Sequence, residues 1–218
     1  MLYTRLIQAF ENPDKQDEYL GKAKFWLDKY TTEFKSEADS IRATDIAEAT
    51  ARYTENLGMF IGKNLSKEYL RKEADKFIRK DQIFMAADKE SYEIGYVAAL
   101  IFDEKNPNWK ETFYAAGKGI LEVLLENVAP ISDKPDKKIV DKITKAVNRT
   151  NKDAEGKLKD IIAAKDNTGI PLLHLDLSQV SKSFHAESIF KYQNLSVMAG
   201  YSSKFNVNGK IETVPSNR

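Results

Sequence analysis

The chain has 218 residues, of which 42% are hydrophobic and 31% charged, and its 34 basic and 33 acidic residues leave a formal net charge of +1. This balance excludes the strongly basic surface that attracts phosphate backbones, so nucleic acid is not an expected partner. The absence of cysteine excludes disulfides and thiolate chemistry, and the two histidines limit imidazole chemistry.

Helical spacing of apolar residues predicts a run of helices from the first residue to about residue 128. The predicted ranges are 2–10, 15–34, about 36 or 40–61, 66–79, 91–103, 109–115 and 121–126. Ser66 precedes an acidic residue in the first turn of the fourth helix, a pattern typical of an N-cap.

Small residues line one side of two of these helices. The stripes are Ala43, Ala47, Thr50 and Ala51 on the third helix, and Gly95, Ala98 and Ala99 on the fifth. Small side chains allow helix axes to approach closely, which predicts that these two helices pack against each other. Gly58 and Gly62, four residues apart, are interpreted as a further point of close packing in a water-soluble protein.

The composition changes at Pro130, and residues 132–138 are interpreted as a linker. Helical spacing resumes over 137–165, with a predicted break within 148–156 that would give two amphipathic helices. After residue 169 apolar and polar residues alternate, which predicts strands at 171–177, 195–199, 204–207 and 210–214. Asn208 and Gly209 are typical of the turn of a hairpin.

The expected fold is therefore mainly α, of the α+β class, with a bundle of about six to eight helices followed by a small C-terminal antiparallel β-sheet. The expected organisation is a helical body over 1–130, a linker with amphipathic helices over 131–168, and a β-rich element over 169–218. No stretch of the sequence is long and apolar enough to predict a membrane span.

Residues 1–10 include Arg5 and lack the apolar core of a signal peptide. The sequence leaves localisation open between the cytoplasm and, for a chain cut from a longer exported precursor, the periplasm or the extracellular space. It does not determine the oligomeric state.

The densest group of candidate functional residues lies on the third helix. Glu48 and Glu55 are seven residues apart and so near one helical face, and Glu48 falls on the small-residue stripe. A carboxylate in that position must be paired, hydrogen-bonded, protonated or bound to a metal. The simplest interpretation is an ion pair between Glu48 and Arg52, one turn further along.

The stretch from Ala43 to Phe60 resembles the E-G-x-A-R-Y-x-E pattern of a family of bacterial proteins with gluzincin-type zinc metallopeptidase features. Glu48, Arg52, Tyr53 and Glu55 match that pattern, with Ala49 where the family often has glycine. The stretch 92–103, the Asn106-Pro107-Asn108-Trp109-Lys110 segment and the stretch 121–125 are similar to further motifs of the family.

The resemblance implies that Glu48 occupies the position of a third zinc ligand. It also implies that a cleft beside Glu48 is lined by Arg52, Tyr53, Glu55, Tyr92 and Tyr96. The H-E-x-x-H motif that supplies the two imidazole ligands and the catalytic glutamate does not occur in the sequence. The chain therefore either begins after the missing helix, which the helical pattern at Met1 favours, or is a relative that has lost that helix.

Histidines occur only at His174 and His185. Together with Asp176 and Glu187 they could form a second metal site, but the favoured interpretation is one histidine on a strand and one in a loop, each hydrogen-bonded locally.

Three functions are compatible with these residues. The first is a non-catalytic part of a metallopeptidase-like protein, in which zinc belongs to the full-length relative and the partner is a missing N-terminal segment or another chain. The second is a helical protein-interaction or structural module without enzymatic activity, whose terminal sheet offers an edge to a partner. The third is an enzyme with Glu48 and Glu55 as an acid–base pair. The chain by itself is expected to lack catalytic residues and cofactors.

Overall fold

A computed structural model describes residues 1–63, 66–84, 87–106, 108–113, 117–167, 169, 180–186, 188–192, 195–207 and 209–214. The chain divides into two compact units, residues 1–142 and residues 143–218. The mainly helical fold with a small antiparallel β region that the sequence predicts is confirmed.

The first unit is built from helices in the order that the sequence predicts. They are α1 (Leu2–Glu11), a 3-10 turn (Pro13–Lys15), α2 (Gln16–Glu33), α3 (Lys35–Gly62), α4 (Lys67–Phe77), α5 (Ala87–Lys105), α6 (Trp109–Thr112) and α7 (Ile120–Leu125), and α8 begins at Lys137. Ser66 caps α4 as expected, because its hydroxyl oxygen accepts a hydrogen bond from the backbone N–H of Tyr69 at 3.4 Å.

The packing of α3 against α5 forms the centre of this unit, which confirms the predicted close approach. At Gly95 a Cβ atom would lie 2.3 Å from the Cα, the Cβ and the carbonyl oxygen of Ala49, so only glycine fits at this crossing. On α5, the predicted small residues Gly95, Ala98 and Ala99 are all buried. The fully buried side chains of Val97 and Ile101 extend the core on either side.

The predicted small-residue stripe on α3 is wrong in part. Ala43 and Ala47 are exposed, and Ala51 is half-buried. The buried face is instead formed by Ala49, Thr50, Arg52, Tyr53, Asn56 and Phe60. Alanine is frequent on several sides of this helix, so its presence does not identify the side that is buried; the spacing of Ala49, Tyr53, Asn56 and Phe60 does.

Gly58 and Gly62 do not mark close packing, and that interpretation is wrong. Both glycines are exposed, and a Cβ atom added at either would meet no atom of the described residues within 4 Å. The buried residues of α3 nearby are Asn56 and Phe60, which lie on a different side of the helix. A G-x-x-x-G spacing does not by itself indicate an interface: Met59 and Ile61, which lie between the two glycines, are exposed as well.

The extended segment after α7 is fastened to α1 and α2. The carboxylate of Asp133 pairs with the guanidinium of Arg5 at 2.6 Å and accepts a hydrogen bond from the indole N–H of Trp26 at 2.8 Å. Two residues earlier, the backbone N–H of Ile131 donates to the carbonyl of Gly21 at 2.9 Å. A polar stretch that the sequence indicates as a linker is therefore an ordered part of the first unit.

Helix α8 (Lys137–Asp166) continues into the second unit without interruption. The predicted break within 148–156 is wrong. Asn148 and Gly156 are unfavourable in a helix by only about 1 kcal/mol or less each relative to alanine, and no proline lies between residues 137 and 166 to remove a backbone hydrogen bond.

The second unit also contains two antiparallel sheets. Strands β1 (Val180–His185), β4 (Ser202–Val207) and β5 (Lys210–Val214) form one sheet in the order β1-β4-β5, and β2 (Ser188–Tyr192) pairs with β3 (Leu195–Ala199) in the other. Gly209, with a φ of +82°, lies in the turn between β4 and β5, as the hairpin prediction requires. The strand predicted at 171–177, like Asn208, lies outside the described residues.

Strands β1 and β2 were not predicted, and the expected loop position of His185 is wrong: it is the last residue of β1 and pairs with Ser202. The alternation in this region is weak, because serine and lysine separate the apolar residues irregularly. Among the helices that the structure describes, none is both long enough and apolar enough to cross a membrane.

Candidate functional site

Arg52 of α3 forms the centre of a buried ionic cluster. Its guanidinium pairs with the carboxylate of Glu93 on α5, and the two side chains are only 8% and 4% exposed. It also donates to the backbone carbonyl of Phe77 and lies over the ring of Tyr96, 5.0 Å from the ring centre. The pair that the sequence suggested, Glu48 with Arg52, is replaced by a partner 41 positions further along the chain.

A second arginine extends this cluster to the surface. The exposed side chain of Arg79 approaches the other oxygen of Glu93 at 3.4 Å. Burial lowers the pKa of the Arg52 guanidinium, and the positive charge of Arg79 lowers it further. One carboxylate thus pairs with two cations, and the cluster connects α3, α5 and the segment after α4.

Glu48 lies outside the buried cluster, in a shallow depression of about 300 Å³ that it shares with Arg79, Tyr92 and Glu93. Its side chain is half-buried. Glu55, about two helical turns further along α3, is exposed and accepts a hydrogen bond from the hydroxyl of Tyr92.

The residues around Glu48 do not fit a zinc ion by themselves. The neighbouring carboxylate of Glu93 is already paired with two arginines, and the Arg79 side chain brings a positive charge into the depression. Within the described part of the chain, no group of three or more histidine, cysteine, aspartate or glutamate side chains could hold a metal ion. His174, Asp176 and Glu187 lie outside that part, so the alternative metal site is not described.

Tyr53 and Tyr96 face a different surface from Glu48. Both line a pocket of about 620 Å³ between α3, α4 and α5, here called the Asn56 pocket after its central polar residue. Its walls are apolar and come from several helices: Phe10, Leu57, Phe60, Leu70, Ala74 and Leu100. Of the six residues expected at one cleft, Glu48 and Tyr92 thus line one depression and Tyr53 and Tyr96 line another, whereas Glu55 and Arg52 line neither.

Every charged group on the rim of the Asn56 pocket has a partner. Asp103 accepts hydrogen bonds from the hydroxyl of Tyr53 and from the indole N–H of Trp109, the latter at 2.9 Å, and pairs with Lys110. Arg71 pairs with Glu104 and donates to the backbone carbonyl of Phe10. Two cations and two anions cancel, so the rim is close to neutral.

Asn56 differs from these groups. It is 8% exposed and lines the pocket, and its side-chain amide makes no hydrogen bond to the described residues. The amide carries two donor hydrogens and an acceptor oxygen, which face the open pocket rather than the sealed core. The pocket therefore presents unused hydrogen-bonding capacity in an apolar setting.

The tyrosines of the pocket are held in the protonated form. Burial raises the pKa of the Tyr53 hydroxyl, and the hydrogen bond to Asp103 raises it further. Burial likewise raises the pKa of Tyr96, to about 12, against the opposing effect of Arg52, and its hydroxyl donates to the carbonyl of Ala74 at 3.3 Å. Neither group serves as a base at neutral pH.

Glu93, Asn56 and Asp103 are not among the residues predicted from the sequence. A signal for Asn56 was present, since it is seven residues after Ala49 and three after Tyr53 and so shares their buried face. Glu93 and Asp103 gave no comparable signal, because their partners come from another helix.

Compared with known proteins, the chain matches no family model, and neither a curated protein nor a solved structure is significantly similar to it.

Proposed function

We propose that this chain is a binding module and that the Asn56 pocket takes a neutral, apolar ligand carrying an amide group, such as an apolar segment of a peptide. The observation that supports this proposal is the side-chain amide of Asn56, which has no partner among the described residues and lines a pocket of about 620 Å³. That volume is within the range of about 300–1,000 Å³ of ligand sites in proteins.

The charge balance of the rim defines the ligand class. Because Asp103 and Glu104 are each paired, a cationic ligand would have to displace Lys110 or Arg71. A peptide group offers one donor and one acceptor and so matches the amide of Asn56 without a net charge. An apolar side chain beside that peptide group would pack against Phe60 and Leu57.

The polar groups at the pocket favour binding over catalysis, because those that could transfer a proton are already engaged in hydrogen bonds or ion pairs. Asp103 accepts three hydrogen bonds or ion pairs, and Tyr53 is committed to Asp103 as a donor. A general base needs a free lone pair within reach of the substrate. The free polar group here is an amide, which neither gives nor takes a proton at neutral pH.

The test is titration of the ¹⁵N-labelled protein with N-acetyl-leucyl-leucinamide, followed by two-dimensional NMR. Saturable shifts are expected for the Asn56 side-chain amide and for backbone amides of 57–60, 70–74 and 100–104. Asn56→Leu keeps a similar volume but removes the amide, and should weaken binding about tenfold or more.

Asn151→Leu is the matched control, because Asn151 is exposed on α8 and the substitution is the same. N-acetyl-aspartyl-aspartamide should bind much more weakly than the leucine compound. Absence of saturable shifts around residue 56, or equal affinity of the Asn56→Leu protein, would contradict the proposal.

The metallopeptidase-like relationship is a second, separate proposal. It is supported by the position of Glu48 in a concave surface rather than on a convex one. If the chain is part of such a protein, the reading frame that precedes the Met1 codon encodes H-E-x-x-H in phase. Co-expression of that upstream segment with this chain should then give a protein that binds zinc stoichiometrically. The Glu48→Gln variant should lose the bound zinc, and the Glu55→Gln variant should keep it.

A further inference from the structure

A second pocket of about 490 Å³ lies on the first unit, away from Asn56. It is formed where the start of α3 meets α2, α5 and α7, and is here called the Asp45 pocket. Its apolar wall includes Leu2, Trp26, Leu27, Tyr30, Ile94 and Ile120. Two aromatic rings and several aliphatic side chains thus provide a surface for the body of a small organic molecule.

The charged groups that line this pocket are mostly paired with one another. Lys35 approaches Asp39 at 2.6 Å, and Arg42 approaches Glu122 at 3.5 Å. Met1 and Glu90 also line the pocket, and the charge of Glu90 interacts favourably with the amino group of Met1 without forming an ion pair. Two carboxylates of the pocket therefore have no ion pair to the described residues, those of Asp45 and Glu90, and Asp45 is the less exposed of the two.

Asp45 is half-buried, and its carboxylate accepts a hydrogen bond from the hydroxyl of Ser91. The hydroxyl is neutral and does not balance the charge. Burial raises the pKa of the Asp45 carboxyl, the Ser91 hydrogen bond opposes that effect, and the negative charge of Glu122 adds to it. An anion that is partly removed from water, without a cation of its own, is stabilised by any ligand that brings one.

We propose that the Asp45 pocket binds an organic monocation, an amine whose ammonium group pairs with Asp45 and whose apolar body packs between Trp26 and Tyr30. The half-buried carboxylate of Asp45 matches one positive charge, the exposed carboxylate of Glu90 adds to the negative charge around it, and the aromatic walls suit both an apolar body and an adjacent ammonium group. This site shares no residue with the Asn56 pocket, and the proposal does not depend on the proposed function.

The test compares three probes that share a phenyl body: phenethylamine as the cation, 2-phenylethanol as the neutral analogue and 3-phenylpropionate as the anion. Two-dimensional NMR should show saturable shifts with phenethylamine at residues 26–31, 45 and 91–95. The neutral alcohol should bind about tenfold more weakly, and the anion should not bind.

Asp45→Asn retains the shape of the side chain and its hydrogen-bond acceptor but removes the charge. The variant should lose about tenfold in affinity for phenethylamine and keep its affinity for 2-phenylethanol. Asp14→Asn, at an exposed position, is the matched control. Tyr30→Leu gives an independent variant, because loss of the aromatic wall should weaken both probes.

Equal binding of phenethylamine and 2-phenylethanol, shifts confined to other residues, or undiminished affinity for phenethylamine in the Asp45→Asn protein would each overturn the proposal. Failure of the leucine compound to bind at Asn56 would leave these results unaffected, so the two proposals can be judged separately.

Discussion

Ala49 and Gly95 set the distance between α3 and α5. The backbone of α5 approaches Ala49 so closely at this crossing that no side chain fits at position 95, where a Cβ atom would lie 2.3 Å from three atoms of Ala49. Both pockets depend on this crossing, since α3 and α5 contribute to the wall of each.

Gly95→Ala should therefore destabilise the protein. Overpacking of a rigid core costs about 1–3 kcal/mol, which exceeds the gain of about 1 kcal/mol from the better helix propensity of alanine. Urea unfolding followed by circular dichroism measures the difference. Gly58→Ala is the control, because position 58 is exposed within α3 and an added Cβ atom would have no neighbour within 4 Å in the described part of the chain. That variant should be stabilised by about 0.5–1 kcal/mol. Similar effects of the two substitutions would contradict the crossing geometry.

The Arg52–Glu93 pair predicts unequal effects of removing its two members. Glu93→Leu leaves a buried guanidinium with another cation, Arg79, beside it, and should cost about 3–5 kcal/mol. Arg52→Met should cost less, because Glu93 then retains Arg79. The double variant should be more stable than Glu93→Leu alone. A double-mutant cycle in urea measures the coupling, and strictly additive costs would show that the two charges do not interact.

The raised pKa values of Tyr3 and Tyr96 predict that the protein loses stability at alkaline pH. Burial raises the pKa of each hydroxyl from 10 to about 12. Between these values the unfolded chain releases the proton and the folded chain keeps it, so the free energy of unfolding falls as pH rises, by about 1.4 kcal/mol per pH unit for each tyrosine. The stabilisation is fully present below pH 10 and is lost as pH rises towards 12.

The measurement is the slope of the free energy of unfolding between pH 9.5 and 11.5. Tyr3→Phe and Tyr96→Phe should each make the slope less negative. Tyr69→Phe is the control for removing an exposed hydroxyl. An unchanged slope in both buried variants would refute the assignment.

The lowered pKa of Asp133 predicts that, at acid pH, the free energy of unfolding rises with pH, opposite to the effect of the tyrosines. Burial alone would raise its pKa, but the hydrogen bonds from Arg5 and Trp26 outweigh burial and lower it. The folded protein therefore binds this proton less tightly than the unfolded chain. The stabilisation is present above the unfolded pKa of about 3.9 and is lost as pH falls through the lower folded value.

Asp133→Asn should accordingly cost about 1.5–3 kcal/mol at pH 7, the range for hydrogen bonds to a charged group. The difference from the parent protein should shrink steadily below about pH 4. Urea unfolding at a series of pH values measures this convergence. A difference that stays constant down to pH 2 would mean that the charge of Asp133 contributes nothing.

Most of the helices could be predicted from the sequence because their signals are local. The cap at Ser66 and the small residues of α5 act within one or two turns, and the structure has both where expected. The break expected in α8 does not occur. The free-energy cost of Asn148 and Gly156 is smaller than the cooperative gain from continuing the helix through them.

The candidate sites could be predicted only in part, because their decisive contacts join distant parts of the chain. Arg52 has a carboxylate four residues before it, and spacing alone favours that partner over Glu93 on another helix. Likewise nothing in the sequence around Asp45 indicates that Lys35 and Arg42 are paired elsewhere. Which charge remains uncompensated is a property of the folded chain.

The two tryptophans of the chain both donate their indole N–H to a carboxylate, Trp26 to Asp133 and Trp109 to Asp103. Trp26 also lines the Asp45 pocket, whereas Asp103 lines the Asn56 pocket. A variant in which phenylalanine replaces one of the two tryptophans therefore has tryptophan fluorescence from the neighbourhood of a single pocket. Each ligand class can then be followed optically without attaching a dye.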